Sequence, residues 1–161
     1  MKKLVIRKIN KEDNKELAGI IRDVLTEFDA PSEGTALEDV SIDRMSDFYG
    51  NDRSAYFVAL QDGKLIGGCG IKQLEGADSG ICELQKMYLK KESRGLGAGK
   101  KLLDTCLEFA RSSAYRACYL ETLPGMEAAY TMYSHAGFFP LTGRLGNTGH
   151  FSCDIWLYKD L

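Results

Sequence analysis

A strand, a glycine-rich turn and an amphipathic helix follow one another in the middle of the chain. The strand is the apolar segment 81–89, glycine occupies every second position from Gly95 to Gly99, and apolar residues then recur at helical spacing. Patterns typical of a strand at 117–122 and of a helix at 125–136 come next. A β-α-β-α order of this kind joins two parallel strands by a right-handed crossover. The sheet must therefore contain at least one parallel strand pair.

The segments around this unit predict antiparallel neighbours. Residues 4–9 alternate apolar and polar side chains as a half-buried strand does, and apolar residues in 17–28 have the spacing of an amphipathic helix. Asp62-Gly63 is typical of a type I′ hairpin turn. Similar patterns predict a weaker helix at 37–48 and strands at 55–60, 64–71, 138–141 and 151–158, the last two joined by a loop at 142–149. We therefore expect an α/β fold, with one mixed sheet covered by helices on both faces, in a single domain spanning 1–161.

The alternation within 81–89 is imperfect. Leu84 falls on one face of the predicted strand, whereas Met87 and Leu89 fall on the other. An extra residue in one strand of a pair shifts the alternation in this way, so we predict a β-bulge between Leu84 and Met87.

Composition excludes several classes of protein. The net charge of −2 disfavours a general nucleic-acid binder, and no apolar run approaches the roughly 18 residues of a membrane span. The five cysteines form no CxxC pair, so neither a metal site nor a disulfide framework is expected. Residues 1–7 lack the apolar run of a signal peptide. We expect a cytoplasmic protein that binds neither membranes nor nucleic acids.

The glycine turn has the character of an anion site. Backbone N–H groups at the start of a helix have no partner within the helix, and glycines allow a phosphate to approach them closely. Arg94 and Lys100 add positive charge at the two edges. The spacing matches neither GxGxxG nor the P-loop motif. Close packing of a helix against a strand is the alternative explanation.

Two motifs resemble those of a known family. Arg94-x-x-Gly97-x-Gly99 is similar to the Q/R-x-x-G-x-G/A signature of the GNAT superfamily of acyl-CoA-dependent N-acyltransferases, and segment 129–138 is similar to its A-x-x-L-Y-x-x-x-G-F helix. The order of predicted elements also resembles that fold along nearly the whole chain. One departure is Leu123-Pro124, where many members carry asparagine.

The resemblance implies a GNAT-like fold with about seven mostly antiparallel strands, a central parallel pair that splays apart, and about four helices. It also implies acetyl-CoA as the acyl donor. Backbone groups of Met87, Tyr88 and Leu89 would pair with its pantetheine arm like an added strand. The backbone of Arg94, Gly95, Leu96, Gly97, Ala98, Gly99 and Lys100 would hold its pyrophosphate.

Acyl transfer to an amine needs a base for the amine and is helped by an acid for the departing thiolate. Glu83 is the candidate base, because burial in an apolar strand would raise its pKa towards neutrality. A solvated carboxylate, or a partner of Lys86 or Lys90, is the alternative. Tyr133 is the candidate acid, since it matches the tyrosine of the family motif; its spacing also suits a buried helix face.

The acceptor side is the least informative part of the sequence. Phe28, Tyr49, Tyr56 and His150 are candidates for the acceptor site, and Cys153 is expected to be a buried strand thiol. The expected activity is N-acetylation of a primary amine, of a small molecule or of a protein, by direct transfer in a ternary complex; a homodimer is possible. The alternatives are a coenzyme A-binding sensor of the same fold, and a nucleotide-binding protein that uses the same glycine turn.

Overall fold

The computed structural model describes residues 2–161, which form one seven-stranded sheet in the order β1-β2-β3-β4-β5-β7-β6. Every neighbouring pair is antiparallel except β4 and β5, which are parallel. This arrangement confirms the expected mixed sheet with one parallel pair. The strands are β1 (Leu4–Lys8), β2 (Ala55–Gln61), β3 (Lys64–Gln73), β4 (Ile81–Leu89), β5 (Ala117–Thr122), β6 (Phe139–Pro140) and β7 (Ile155–Asp160).

Helices cover both faces of the sheet. The side chains of β2 point alternately to the two faces, so each face contributes apolar side chains that a helix buries. Phe57 and its odd-numbered neighbours pack with one helix, whereas Tyr56 and Val58 pack with another on the opposite face. The α-helices of the described residues are α1 (Asn14–Glu27), α2 (Met45–Phe48), α3 (Ala98–Ser112) and α4 (Glu127–His135). Within 2–161, no helix is long and apolar enough to cross a membrane.

The predicted bulge in β4 is present. Gln85 pairs with Gly70 and Tyr88 with Gly68, so Lys86 and Met87 together oppose one residue of β3. Lys86 adopts a φ of 48°, which is uncommon for a residue with a side chain. The pairing of β4 with β5 ends at Glu83, opposite Tyr119. The second half of β4 therefore leaves β5, and a gap opens between two central strands.

Glycines in β3 make room for aromatic rings beneath the sheet. A Cβ on Gly70 would lie 2.7 Å from Cδ2 of Tyr56 and 2.9 Å from Cε1 of Tyr49, and a Cβ on Gly68 would overlap the Tyr56 ring. The two tyrosine rings pack at 5.4 Å between centroids. Glycine at these positions therefore lets two tyrosines lie directly under the strand that faces the bulge.

Two sequence predictions were wrong in their bounds. Segment 37–48 is not one helix: it forms 3-10 turns at Ala36–Glu38 and Ile42–Arg44 and then the single-turn α2. Asp39 is extended between the turns, which breaks the helical run.

The last strand begins at Ile155, four residues later than predicted. Phe151–Asp154 instead continue the preceding loop, in which the N–H of Cys153 donates to the carbonyl of His150 at 3.0 Å. The Arg144 guanidinium donates to the carbonyls of both residues. Cys153 is therefore a buried loop thiol rather than a strand thiol.

Candidate active site

The turn before α3 presents a row of free backbone donors. The N–H groups of 95–100 have no hydrogen-bond partner among the described residues, and the first bond into the helix is made by the N–H of Lys101. Gly95 and Gly97 have φ angles of 75° and 88°, which favour glycine, and no atom lies within 4 Å of a Cβ placed on either. Open space in front of six free donors at a helix start is the geometry of an anion site.

The two cations at the edges of this turn have other partners. Arg94 forms a bidentate pair with Glu27 at 2.9 and 2.8 Å, donates to the carbonyl of Leu89, and lies 5.3 Å from the centre of the Phe28 ring. Lys100 pairs with Asp104 one turn along α3. Arg94, whose charge was expected to serve the turn, therefore links the turn to the ends of α1 and β4.

Gly99 has a different role from the other two glycines of the turn. A Cβ at this position would lie 3.3 Å from Sδ of Met132 and 3.4 Å from Cδ1 of Leu89. Gly99 therefore lies at a tight packing contact of α3 with β4 and α4, where an added methyl group would make the Met132 side chain shift slightly. Close packing thus concerns Gly99, whereas the open space at Gly95 and Gly97 is compatible with the predicted anion site.

The gap between β4 and β5 contains a narrow cavity of about 50 Å³. One wall is the freed half of β4, including Met87 and Tyr88, and the other is the end of β5. Tyr133 of α4 also lines it, with its ring against Phe138 at 5.9 Å between centroids. The Tyr133 hydroxyl has no hydrogen-bond partner among residues 2–161, and burial holds its pKa well above 10. The hydroxyl therefore remains protonated and available as a donor.

A wider groove of about 660 Å³ lies on the other side of β4. Three residues of β4 line both spaces: Glu83, Gln85 and Lys86. The bulged strand is thus a wall that the groove and the gap share.

Glu83 is buried at this junction, with 5% of its surface exposed. Its Oε1 accepts a hydrogen bond of 2.6 Å from Nε2 of Gln85, whose Oε1 in turn accepts from the Tyr49 hydroxyl. Burial raises the pKa of Glu83 to about 7, although the Gln85 hydrogen bond and the positive charges of His150 and Lys86 oppose the rise. A carboxyl with this pKa exchanges protons readily near neutral pH.

Neither lysine considered as a partner of Glu83 forms an ion pair with it. Lys86 pairs with Asp39 at 2.7 Å, and Lys90 pairs with Glu16 at 3.3 Å. The interpretation of Glu83 as a solvated or ion-paired surface carboxylate is therefore wrong.

A network of charged side chains surrounds Glu83 at the wall shared by the groove and the gap. The sequence pattern did not predict this network. Asp39 contacts both Lys86 and Nε2 of His150, the latter at 3.0 Å, and this contact raises the pKa of His150 above its ordinary value despite burial. Glu121 accepts hydrogen bonds from Tyr119, Arg144 and Thr148. Single atoms of Glu83, Glu121 and His150 lie within 4.8 Å of one another, but each of the three already has protein partners.

The structure separates the four acceptor-site candidates. Tyr49 lines the groove and His150 lines the gap. Tyr56 is fully buried, and its hydroxyl donates to the carbonyl of Lys86 at 2.7 Å, which holds the bulge. Phe28 lies under Arg94, beside the glycine turn and outside the groove.

Comparison with known proteins identifies the family of the chain. The model of the acetyltransferase (GNAT) family matches residues 14–138. An uncharacterised N-acetyltransferase of Escherichia coli K12, YjgM, is 37% identical over 158 residues, which cover 98% of this chain and 95% of that relative.

Two solved structures share the fold. An acetyltransferase of the GNAT family from Staphylococcus aureus Mu50 superimposes with a TM-score of 0.84 at 21% identity, covering 98% of this chain and 99% of that one. The PaiA N-acetyltransferase of Thermoplasma acidophilum, solved in complex with coenzyme A, superimposes with a TM-score of 0.75 at 20% identity over 99% of both chains. The chain therefore belongs to the GNAT family of acetyltransferases and is an acyltransferase enzyme.

Proposed function

We propose that the protein transfers an acetyl group from acetyl-CoA to a primary amine by direct attack, with both substrates bound at once. The observation that carries this proposal is the position of Glu83, a buried carboxyl with a pKa of about 7, in the wall shared by the groove and the gap. An amine in the groove and a thioester in the gap would meet beside this base.

The chain's own residues suit this donor. The six free N–H groups of 95–100 fit the pyrophosphate of acetyl-CoA, and the backbone of Met87, Tyr88 and Leu89, which has no neighbouring strand on its β5 side, fits the amide-bearing pantetheine arm. The arm would then lie in the gap lined by Tyr133.

The proposed reaction needs two proton transfers. The acceptor enters the reaction as the neutral amine, its ammonium proton having passed to solvent. As the nitrogen lone pair forms the new C–N bond, Glu83 takes the one proton that this nitrogen must lose, and that proton later returns through solvent to the Tyr133 oxygen. The C–S bond breaks, and the departing thiolate takes a proton from the Tyr133 hydroxyl. Such proton transfers each contribute roughly 10²- to 10⁴-fold to a rate.

An assay that follows release of the coenzyme A thiol in the presence of a panel of amines tests this function. We expect thiol release that depends on the amine, equal amounts of N-acetylated product, and intersecting lines in double-reciprocal plots. Binding of coenzyme A without amine-dependent release would instead indicate a sensor, and parallel lines would indicate a covalent acyl-enzyme.

Gly97→Val tests the anion site. Gly97 has a φ of 88° directly before α3, a conformation that a β-branched residue adopts only with strain of roughly 1–2 kcal/mol. The turn should relax, its N–H groups should diverge, and the Kd for coenzyme A measured by calorimetry should rise about tenfold or more. Gly19→Ala in α1, where no atom lies within 4 Å of the added methyl, is the control and should bind normally.

Gln85→Met tests the hydrogen bond that Glu83 accepts. This bond stabilises the charged carboxylate, so its loss should move the pKa of Glu83 further upwards from about 7. The base must be deprotonated to act, so kcat/KM should fall roughly 3- to 10-fold near pH 6.5 and approach the wild-type value above pH 9. A pH profile measures the shift; Gln61→Met, remote on β2, should leave the profile unchanged. An unshifted profile in Gln85→Met would contradict the assignment of Glu83.

A further inference from the structure

The groove carries positive charge directly beside Glu83. Lys72 of β3 is paired in register with Glu83 of β4, and residues paired in this way direct their side chains to the same face, with Cβ atoms roughly 5 Å apart. Both residues line the groove. A ligand whose nitrogen lies at Glu83 therefore has the side chain of Lys72 on the neighbouring strand of the same groove wall.

Aromatic groups hold the Lys72 ammonium in place and leave most of its donors free. Its Nζ lies 5.5 Å from the centre of the Tyr49 ring and 5.8 Å from that of Phe48. Its one hydrogen bond among the described residues goes to the carbonyl of Phe48, at 3.1 Å. An ammonium has three N–H donors, so two remain for a ligand.

Arg53 supplies a second cation at the wall of the same groove. Its guanidinium stacks on the Tyr115 ring at 4.0 Å and donates to the carbonyls of Ser113 and Ser79. Within residues 2–161 no carboxylate forms an ion pair with this arginine, since both of its hydrogen-bond acceptors are carbonyl oxygens.

The carboxylates of the groove do not pair with these two cations. Asp52 and Glu75 are exposed lining residues, and no salt bridge within 4.0 Å joins either of them to Lys72 or Arg53 among residues 2–161. By contrast, Lys86 at the junction is neutralised by Asp39. The groove of Glu83 thus holds two cations, Lys72 and Arg53, that form no ion pair among residues 2–161.

We propose that the acceptor is an amino acid: a primary amine with a carboxylate a few bonds from its nitrogen, which Lys72 binds and Arg53 attracts into the groove. This inference rests on the proposed function. A charge-assisted hydrogen bond from Lys72 to the carboxylate would orient the amine towards Glu83. A polyamine or the N-terminus of a protein lacks this carboxylate. Its positively charged amine would then enter a groove that already contains the Lys72 ammonium.

A comparison of each free amino acid with its carboxamide tests the proposal, because the carboxamide keeps the amine and the shape but removes the negative charge. The ratio of kcat/KM for acid over amide is measured for wild type, for Lys72→Met and for Lys72→Arg. We expect wild type to favour the acid, Lys72→Met to lower the ratio roughly 10- to 100-fold, and Lys72→Arg to retain much of it. Lys64→Met, an exposed lysine on the same strand, is the matched control and should keep the wild-type ratio.

Calorimetry provides a readout that does not depend on turnover. Amino acids should bind to the protein loaded with coenzyme A, and Lys72→Met should weaken this binding in parallel with the ratio. Transfer to amides or simple amines with no preference for acids, or a preference that survives in Lys72→Met, would overturn the inference and leave the proposed function intact. Failure to bind any amino acid would overturn it too, and the amine panel would then decide the function separately.

Discussion

Glu83→Gln is expected to lower kcat by roughly 10²- to 10⁴-fold, the range typical for removal of a general base. Glutamine keeps the shape of the side chain and a hydrogen-bonding oxygen for Gln85, but it cannot take a proton from the amine. The small remaining activity should lose its dependence on a group with a pKa of about 7 and rise only as the amine itself is deprotonated. Initial rates at saturating substrate between pH 5.5 and 9.5 provide the measurement.

The controls separate chemistry from folding. Glu83→Gln should bind coenzyme A with a Kd close to that of the wild type, because none of the free N–H groups of 95–100 proposed to hold the pyrophosphate contacts Glu83 and the substitution keeps the shape of the side chain. Glu108→Gln, on the exposed face of α3, should retain the wild-type rate. A Glu83→Gln enzyme with normal kcat and an unchanged pH profile would remove this residue from the mechanism.

Tyr133→Phe is expected to lower kcat by roughly 10²-fold or more while changing the Kd for coenzyme A less than threefold. The ring packs against Phe138 and fills the wall of the gap, and phenylalanine preserves this packing. Only the hydroxyl is lost, and it has no partner among residues 2–161 whose loss would destabilise the fold. Steady-state rates together with calorimetry give the two quantities.

The size of the Tyr133→Phe effect should also depend on the leaving group. A thioester whose thiol is more acidic than coenzyme A needs less help from an acid, so the variant should recover part of its rate with such a donor. Tyr158→Phe on β7 is the control for the loss of a tyrosine hydroxyl. Equal loss of kcat with every donor would argue against proton donation by Tyr133.

Local pattern was enough to predict the main elements of the fold. The strand, glycine turn and helix from 81 to 112 depend on neighbours in sequence, and the broken alternation around Lys86 correctly indicated the bulge. The pattern for 37–48 failed because its buried residues Ile42 and Met45 are anchored by packing against α1, not by a continuous helical stripe. The conformation of such a segment depends on tertiary contacts, which produce no regular spacing of apolar residues in the sequence.

The sequence pattern could not predict which charged residues pair with one another. Asp39 and His150 are separated by 111 positions, and Arg94 and Glu27 by 67. No short-range pattern connects such residues, because the topology of the sheet brings them together. The composition of its strand indicated Glu83 as a candidate, whereas it gave no indication of Gln85 and Glu121, which set the environment of this carboxyl. Gly68 and Gly70, which leave room for the Tyr49 and Tyr56 rings beneath β3, are a sequence signal of this packing that the strand pattern alone does not interpret.

The burial of the Cys153 thiol affects whether this residue can compete with the amine for the acyl group. Cys153 lines the gap in which the thioester is proposed to lie, so the enzyme carries a potential rival acceptor beside its own cosubstrate. Burial raises the pKa of this thiol to about 12, and at neutral pH nearly every molecule therefore holds it as the unreactive thiol. We therefore expect acylation of Cys153 by the proposed thioester to be slow, because the desolvation in the gap disfavours the reactive thiolate.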